Sequence, residues 1–180
     1  MDRKPAAKSS SPPRARGFPP IAGPGARILI LGSLPGRASI DAGEYYAHPR
    51  NAFWPIMRAL VGADGSYEQR CACLVRNGIA VWDVLASSVR DGSLDAGIRP
   101  GSAVCNDFAA FLHEYPGLRL ACFNGRKAEQ LYRRCAGPPG FGSATSTASL
   151  PSTSPAYASL PYADKLARWR GIIGPHLAGE

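Results

Sequence analysis

Residues 45–54 read YYAHPRNAFW, in which Tyr45, Tyr46, Phe53 and Trp54 bring four aromatic rings together with His48, Arg50 and Asn51. The block combines stacking faces, an imidazole, a guanidinium and a carboxamide able to donate and to accept. Four other short segments carry polar groups at turn-like positions: GSLPG (residues 32–36), Asp83 in WDVL, Asn124 in FNG, and LPSTSPA (residues 150–156). GSLPG is too short for a phosphate-binding loop, lacks its lysine, and is not a dinucleotide fingerprint. Taken singly, GSLPG is a strand-to-loop turn, FNG an Asn-Gly turn and LPSTSPA a polar loop.

The elements that would position these residues are legible from periodicity. ARILILG, IAVWDVL, LRLACFNG and the shorter TASLP read as strands, the first of them an apolar run of the kind buried on both faces. AFWPIMRALVG, SYEQRCACLVRNG, AVCNDFAAFLHEYPG, RKAEQLYRRCAG and YADKLARWRGIIG read as helices. Asn51 stands where a cap of the first helix would be, and Asn77-Gly78 would close the second. ASSVRDGSLDAGIRPGS reads as a polar loop. Strands separated by helices imply right-handed crossovers and a parallel sheet covered on both sides. The predicted fold class is thus α/β, a three-layer α/β/α sandwich around a central four-stranded, mostly parallel sheet. In such sheets ligands bind beyond the carboxyl ends of the strands, where GSLPG, WDVL, FNG and LPSTSPA all fall.

With 180 residues, 45% of them hydrophobic, the chain suits one well-filled core. No apolar run approaches the roughly 18 residues needed to span a bilayer, and no signal peptide is evident. A cytoplasmic, nucleoid-associated protein is expected. Five cysteines without metal-ligand spacing suggest reduced, buried thiols and no metal. The formal charge is +8, and half of it comes from residues 1–25, which hold five Lys/Arg against one Asp in a Pro/Ser/Gly-rich setting. That segment reads as a disordered basic tail ahead of a single domain over residues 26–180. The remaining charge permits nucleic-acid binding without requiring it.

The order G-x-x-P-G, then Tyr-Ala-His-Pro-x-Asn-x-Phe-Trp, then a Pro/Ser-rich loop before the last helix, resembles the uracil-DNA glycosylase superfamily. GSLPGRAS, YYAHPRNAFWPI, WDVL, RDGSLDAGI, NDFAAFL, FNGRKA and LPSTSPA are similar to its hypoxanthine-DNA (deoxyinosine) glycosylase branch. The resemblance spans roughly residues 26–175; the long block is specific, while each short loop is weak alone. It implies a base-excision repair enzyme that flips a deaminated nucleotide out of DNA and hydrolyses its N-glycosidic bond. Damaged DNA would be the partner, the protein would act as a monomer, and no cofactor is called for.

Residue roles follow from the resemblance. Tyr46 would stack on the flipped base, or else cover the core as a lid. Relatives place Asn or Asp at the third position of the G-x-x-P-G turn to orient water; Leu34 stands there, and the resembled branch gives the role to Asn51. Asn51 and Asn124 are the catalytic candidates, although Asn51 also suits a helix cap and Asn124 a turn. Ser33, Pro35 and Gly36 of the turn belong to the binding set. Asp83 would accept from the N1–H of hypoxanthine, or pair with an arginine such as Arg90. Ser152 and Ser154 would grip phosphates while Pro155 presses toward the minor groove. The loop lacks the superfamily's usual His or Asn, and His48 would brace its own loop. Lys127, inside the following helix, is the sole lysine of these segments, so a Schiff-base lyase has no nucleophile and a monofunctional enzyme is expected. Uracil or several deaminated bases could be the substrate instead. A non-catalytic DNA-binding or small-ligand α/β domain is the other alternative, with Leu34 in its favour.

Overall fold

The computed structural model describes residues 14–92, 97–135 and 140–177. Its centre is a four-stranded, wholly parallel sheet in the order β3-β2-β6-β7. The strands are β2 (Ile28–Gly32), β3 (Ile79–Asp83), β6 (Leu120–Asn124) and β7 (Ser146–Leu150). Every residue of β2 and β3 is buried, as expected for strands covered on both faces.

Strand alternation divides the apolar residues into two cores. Leu29, Leu31, Trp82 and Phe123 pack on one side with Phe108, Phe111, Leu131 and Tyr132, from α4 (Phe108–Glu114) and α5 (Arg126–Cys135). Ile28, Ile30, Val81 and Cys122 pack on the other side with α2 (Phe53–Val61), α3 (Tyr67–Arg76) and α6 (Tyr162–Leu177). Trp169, fully buried on α6, anchors the second core. Truncating such a residue to alanine costs about 3–5 kcal/mol.

Pairing aligns the strand ends. Gly32 lies opposite Asp83 and Asn124 opposite Leu150, so the four loops that follow leave from one edge. Among the described residues no helix is long and apolar enough to cross a membrane.

Four features depart from the sequence reading. Residues 14–25 are part of the fold rather than of a tail: β1 (Arg14–Arg16) pairs antiparallel with β4 (Leu85–Val89), and Ile21 bridges Val81. Residues 1–13, the rest of the expected tail, lie outside the described residues. The supposed polar loop contains β4 and leads to β5 (Val104–Cys105), which completes a second sheet in the order β1-β4-β5; residues 93–96 of that loop lie outside the described residues. Strands this short, carrying Ser87 and Ser88 and satisfied by Ser102 and Arg14, have no hydrophobic alternation to betray them. A short helix, α1 (Arg37–Ala42), follows the glycine turn. Finally, Cys105 and Cys135 form a disulfide across 30 residues, with Cα atoms 5.8 Å apart, and only Cys71, Cys73 and Cys122 are free thiols. Folding brings β5 against the end of α5, a proximity with no sequence motif.

Candidate active site

Gly32 ends β2 with its Cα between two functional groups. A Cβ built there would collide with Oδ1 of Asp83 and sit 3.1 Å from the Tyr46 hydroxyl. Only glycine admits both at once, which explains the residue that opens GSLPG. Asp83 is 3% exposed, and its carbonyl accepts from Nδ2 of Asn106 at 2.8 Å.

Beyond Gly32 the turn is held by backbone pairing. Val84 N–H donates to Gly32 O, and Leu85 N–H to Ser33 O. Pro35 O accepts from Nη2 of Arg90 at 2.7 Å. Ser33 and Pro35 are buried, and Gly36 caps α1 in an extended conformation. The Leu34 side chain is 5% exposed and belongs to the first core cluster with Leu31 and Leu85. The turn's third position therefore serves packing.

Tyr46 is the non-glycine residue with positive φ, 56°, among those described. An aromatic residue in that region costs about 1–3 kcal/mol, which the surrounding packing has to offset. Its half-buried ring stacks on Phe53, with centroids 4.0 Å apart and an interplanar angle of 22°. The neighbouring Tyr45 turns inward; its hydroxyl donates to the backbone oxygens of Phe18 and Pro19. Burial first, then the Asp83 charge, raises its phenol pKa far above the usual tyrosine range.

Asn51 stands one residue before the cap position of α2, which is Ala52. Asn51 is thus not the helix cap that the sequence suggests; its Oδ1 accepts from Phe53 N–H at 3.0 Å, a turn two residues on that precedes the helix. His48 braces the same loop, with Nδ1 accepting from Arg50 N–H at 3.1 Å and its carbonyl from Asn51 N–H.

Asn124 faces Thr153 rather than open space. Its Nδ2 donates to Oγ1 of Thr153 at 2.8 Å, and its Oδ1 accepts from Thr153 N–H at 2.9 Å. The Thr153 carbonyl accepts in turn from Ala52 N–H. A three-part tie thus joins the end of β6, the Pro/Ser-rich loop and the aromatic block. Gly125, at φ 96°, closes against that loop: a Cβ there would lie 2.8 Å from Cβ of Ser152.

The loop is tied further. Ser152 and Ser154 accept from the backbone N–H groups of Ser154 and Ala156, leaving each hydroxyl proton to donate elsewhere. Pro155 is half-buried beside them. Pro151 O accepts from Nε1 of Trp169 at 3.0 Å, and Tyr157 O from Nζ of Lys165 at 2.6 Å. Lys165 is 6% exposed, and burial lowers the pKa of its ammonium below the usual lysine range.

The structure therefore brings together Gly32, Tyr46 and Asp83 at one point, and Asn51, Asn124 and the 151–156 loop through the Thr153 tie. Arg90, Asn106, Thr153 and Lys165 take part without having been singled out as site residues from sequence. The sequence marks Thr153 only by its place between two serines of the Pro/Ser-rich run. Among the described residues no three His, Cys, Asp or Glu side chains gather as a metal site.

A wholly parallel α/β/α sheet whose strand-end loops gather Tyr46, the buried Asp83 carboxylate and the tied amides of Asn51 and Asn124 defines an α/β protein with its candidate site at the carboxyl edge of the sheet. The family model for the uracil DNA glycosylase superfamily matches residues 19–171, and the chain belongs to that superfamily. It is 43% identical over 116 residues to a hypoxanthine DNA glycosylase of Methanosarcina acetivorans, covering 63% of this chain and 72% of the relative. It is 39% identical over 118 residues to a hypoxanthine DNA glycosylase of Methanosarcina barkeri, covering 64% and 73%. The solution NMR structure of a candidate uracil DNA glycosylase from Methanosarcina acetivorans superposes with a TM-score of 0.72 at 36% identity, over 91% of this chain and 98% of that one.

Proposed function

We propose that this protein is a monofunctional DNA glycosylase that hydrolyses the N-glycosidic bond of deoxyinosine, releasing hypoxanthine and leaving an abasic site. The observation that carries the reading is the meeting of Tyr46 and Asp83 over Gly32. One group supplies a stacking face and the other an acceptor for a ring N–H, the two features a flipped hypoxanthine presents. The two Methanosarcina relatives, both named hypoxanthine DNA glycosylases, support the choice of base.

The reaction needs water and this chain's own groups. The extruded base stacks on the Tyr46 ring and donates its N1–H to Asp83. Asn51, its Oδ1 already receiving Phe53 N–H, keeps a second lone pair and two N–H donors with which to orient water toward C1′. As the C1′–N9 bond opens, the sugar acquires oxocarbenium character and needs little nucleophilic push. The water oxygen bonds to C1′, and its proton leaves with the departing base. Asn124 acts as a positioning residue, holding the loop whose Ser152 and Ser154 hydroxyls grip the flanking phosphates while Pro155 presses toward the minor groove. Lys165 remains engaged with a carbonyl, in keeping with hydrolysis rather than lyase chemistry. The chain acts on damaged DNA as a monomer, in the cytoplasm at the nucleoid.

The test is single-turnover incubation with duplexes carrying deoxyinosine or deoxyuridine opposite T, C, G or A, followed by alkaline cleavage. Breaks at deoxyinosine are expected. Breaks mainly at deoxyuridine, whose N3–H also suits Asp83, would transfer the mechanism to uracil. No breaks would refute the glycosylase reading.

A further inference from the structure

Beside the tied loop, over the outer edge of β7 and between α5 and α6, lies a groove of about 590 Å³. Its walls include Arg126, Arg168, Ser152 and Tyr157. Both guanidiniums are exposed, and among the described residues neither lies within ion-pair distance of a carboxylate. Glu129, the nearby acid on α5, is hydrogen-bonded to Arg133 and Ser149, and Arg126 acts on it only as a more distant charge. Tyr157 is 40% exposed and presents its ring to the groove. Yet its backbone is fixed: Lys165 holds its carbonyl, and the ammonium lies 5.1 Å from its ring centre.

Two exposed cations outside any close ion pair, beside an exposed, anchored aromatic ring, are the composition of a strand-tracking nucleic-acid groove. Ser152 belongs both to this groove and to the loop assigned to the flanking phosphates, so the two surfaces are continuous. We propose that the groove is a second DNA subsite: it takes the damaged strand as it leaves the 151–156 loop, with Arg126 and Arg168 neutralising two successive phosphates and Tyr157 stacking on the adjacent unstacked base. The inference rests on the proposed function and extends it to a strand path on one side of the lesion. It explains why a buried lysine is spent on the carbonyl of a surface tyrosine: the ring must stand ready rather than turn inward.

The full chain is titrated with a fluorescent duplex carrying a tetrahydrofuran abasic analogue, across a salt series. Each neutralised phosphate contributes about 0.9 to the slope of log affinity against log salt. The double variant R126Q/R168Q is expected to lose about 2 from that slope. R76Q/R134Q, with the same charge removed from exposed ends of α3 and α5, is expected to lose less than about 0.5. Tyr157→Leu should weaken binding about tenfold when the bases flanking the lesion are unpaired, with Tyr157→Phe restoring it. An unchanged slope in R126Q/R168Q, or an equal loss in the control pair, would overturn the proposal. Failure to excise deoxyinosine with the slope difference intact would sink the activity reading alone; normal excision with no slope difference would sink the groove alone.

Discussion

Asn124 and Thr153 hydrogen-bond to each other twice, amide to hydroxyl and backbone N–H to amide oxygen, at 2.8 and 2.9 Å. This reciprocal pair spends both ends of the Asn124 carboxamide inside the protein. It reaches further through Thr153, whose carbonyl receives Ala52 N–H immediately after Asn51. The loop proposed to face DNA and the residue proposed to orient water are therefore held in one frame.

Thr153→Val keeps the shape but removes the acceptor for Nδ2 of Asn124. An amide left unpaired at a part-buried site costs about 1–3 kcal/mol, read as a lower urea midpoint. The single-turnover rate should fall about tenfold, because the frame around Asn51 loosens. Thr153→Ser should restore most of both. A normal rate in Thr153→Val at saturating DNA would show that the tie has no catalytic consequence.

Asn51 carries one observed duty, accepting Phe53 N–H, and one proposed duty, orienting water. Asn51→Ala loses the oxygen that accepts Phe53 N–H, worth about 1 kcal/mol at a helix start, together with the amide proposed to orient water. Its excision rate should fall by about 10²–10³, with affinity for a tetrahydrofuran duplex within about threefold. Asn51→Asp keeps an oxygen for Phe53 N–H but no donor. Its stability should stay near the parent while the rate remains low. If Asn51→Asp were as active as the parent, Asn51 would hold Phe53 N–H and do nothing more.

The N-terminal segment divides at residue 14. Removing residues 1–13 should lower the salt slope of DNA binding and leave base choice and thermal stability unchanged. Removing residues 1–25 also deletes β1, the Ile21–Val81 bridge, and the Phe18 carbonyl that receives both Nε1 of Trp82 and the Tyr45 hydroxyl. That deletion should lower the melting temperature markedly. Equal melting temperatures for the two truncations would show β1 to be dispensable.

The pocket's main strands and their loop order were readable because ILILG and IAVWD are uninterrupted apolar runs, and strand ends in parallel sheets collect ligands. Tyr46, Asp83 and Asn51 stood out by residue type within a specific pattern. Thr153 did not, and Arg90 stood out only as a candidate partner of Asp83; its hold on the Pro35 carbonyl is a contact that only folding brings about. The β1-β4-β5 ribbon was hidden by length: Leu85–Val89 buries Ser88 where a pattern search expects an apolar side chain. The Cys105–Cys135 bridge depends on a contact between β5 and the end of α5, and separation along the chain says nothing of it.

Alkaline pH should weaken the fold before it affects the surface. Burial pushes the phenols of Tyr67 and Tyr132 and the thiol of Cys122 up to about 12. Groups whose folded pKa is raised stabilise the native state fully below their unfolded values, near 9 for the thiol and 10 for the phenols, and that contribution is lost as pH climbs toward 12. Urea midpoints should be flat from pH 7 to about 8.5 and decline steadily above 9. A flat profile to pH 11 would contradict the burial assigned to these groups.

Gly32→Ala tests the meeting point itself. The added methyl would overlap the Asp83 carboxylate and press on the Tyr46 hydroxyl, and both neighbours are boxed in: Asp83 is 3% exposed and the Tyr46 ring lies flat on Phe53. Overpacking of this kind costs about 1–3 kcal/mol, so the variant should fold with a reduced urea midpoint. Excision should fall at least about a hundredfold, because the acceptor and the stacking face are displaced together. Gly25→Ala, outside the turn and with nothing within 4 Å of the added methyl, supplies the contrast and should cost less than about threefold in rate. If the two variants lost equal activity, the convergence of Tyr46 and Asp83 on Gly32 would not be what the reaction depends on.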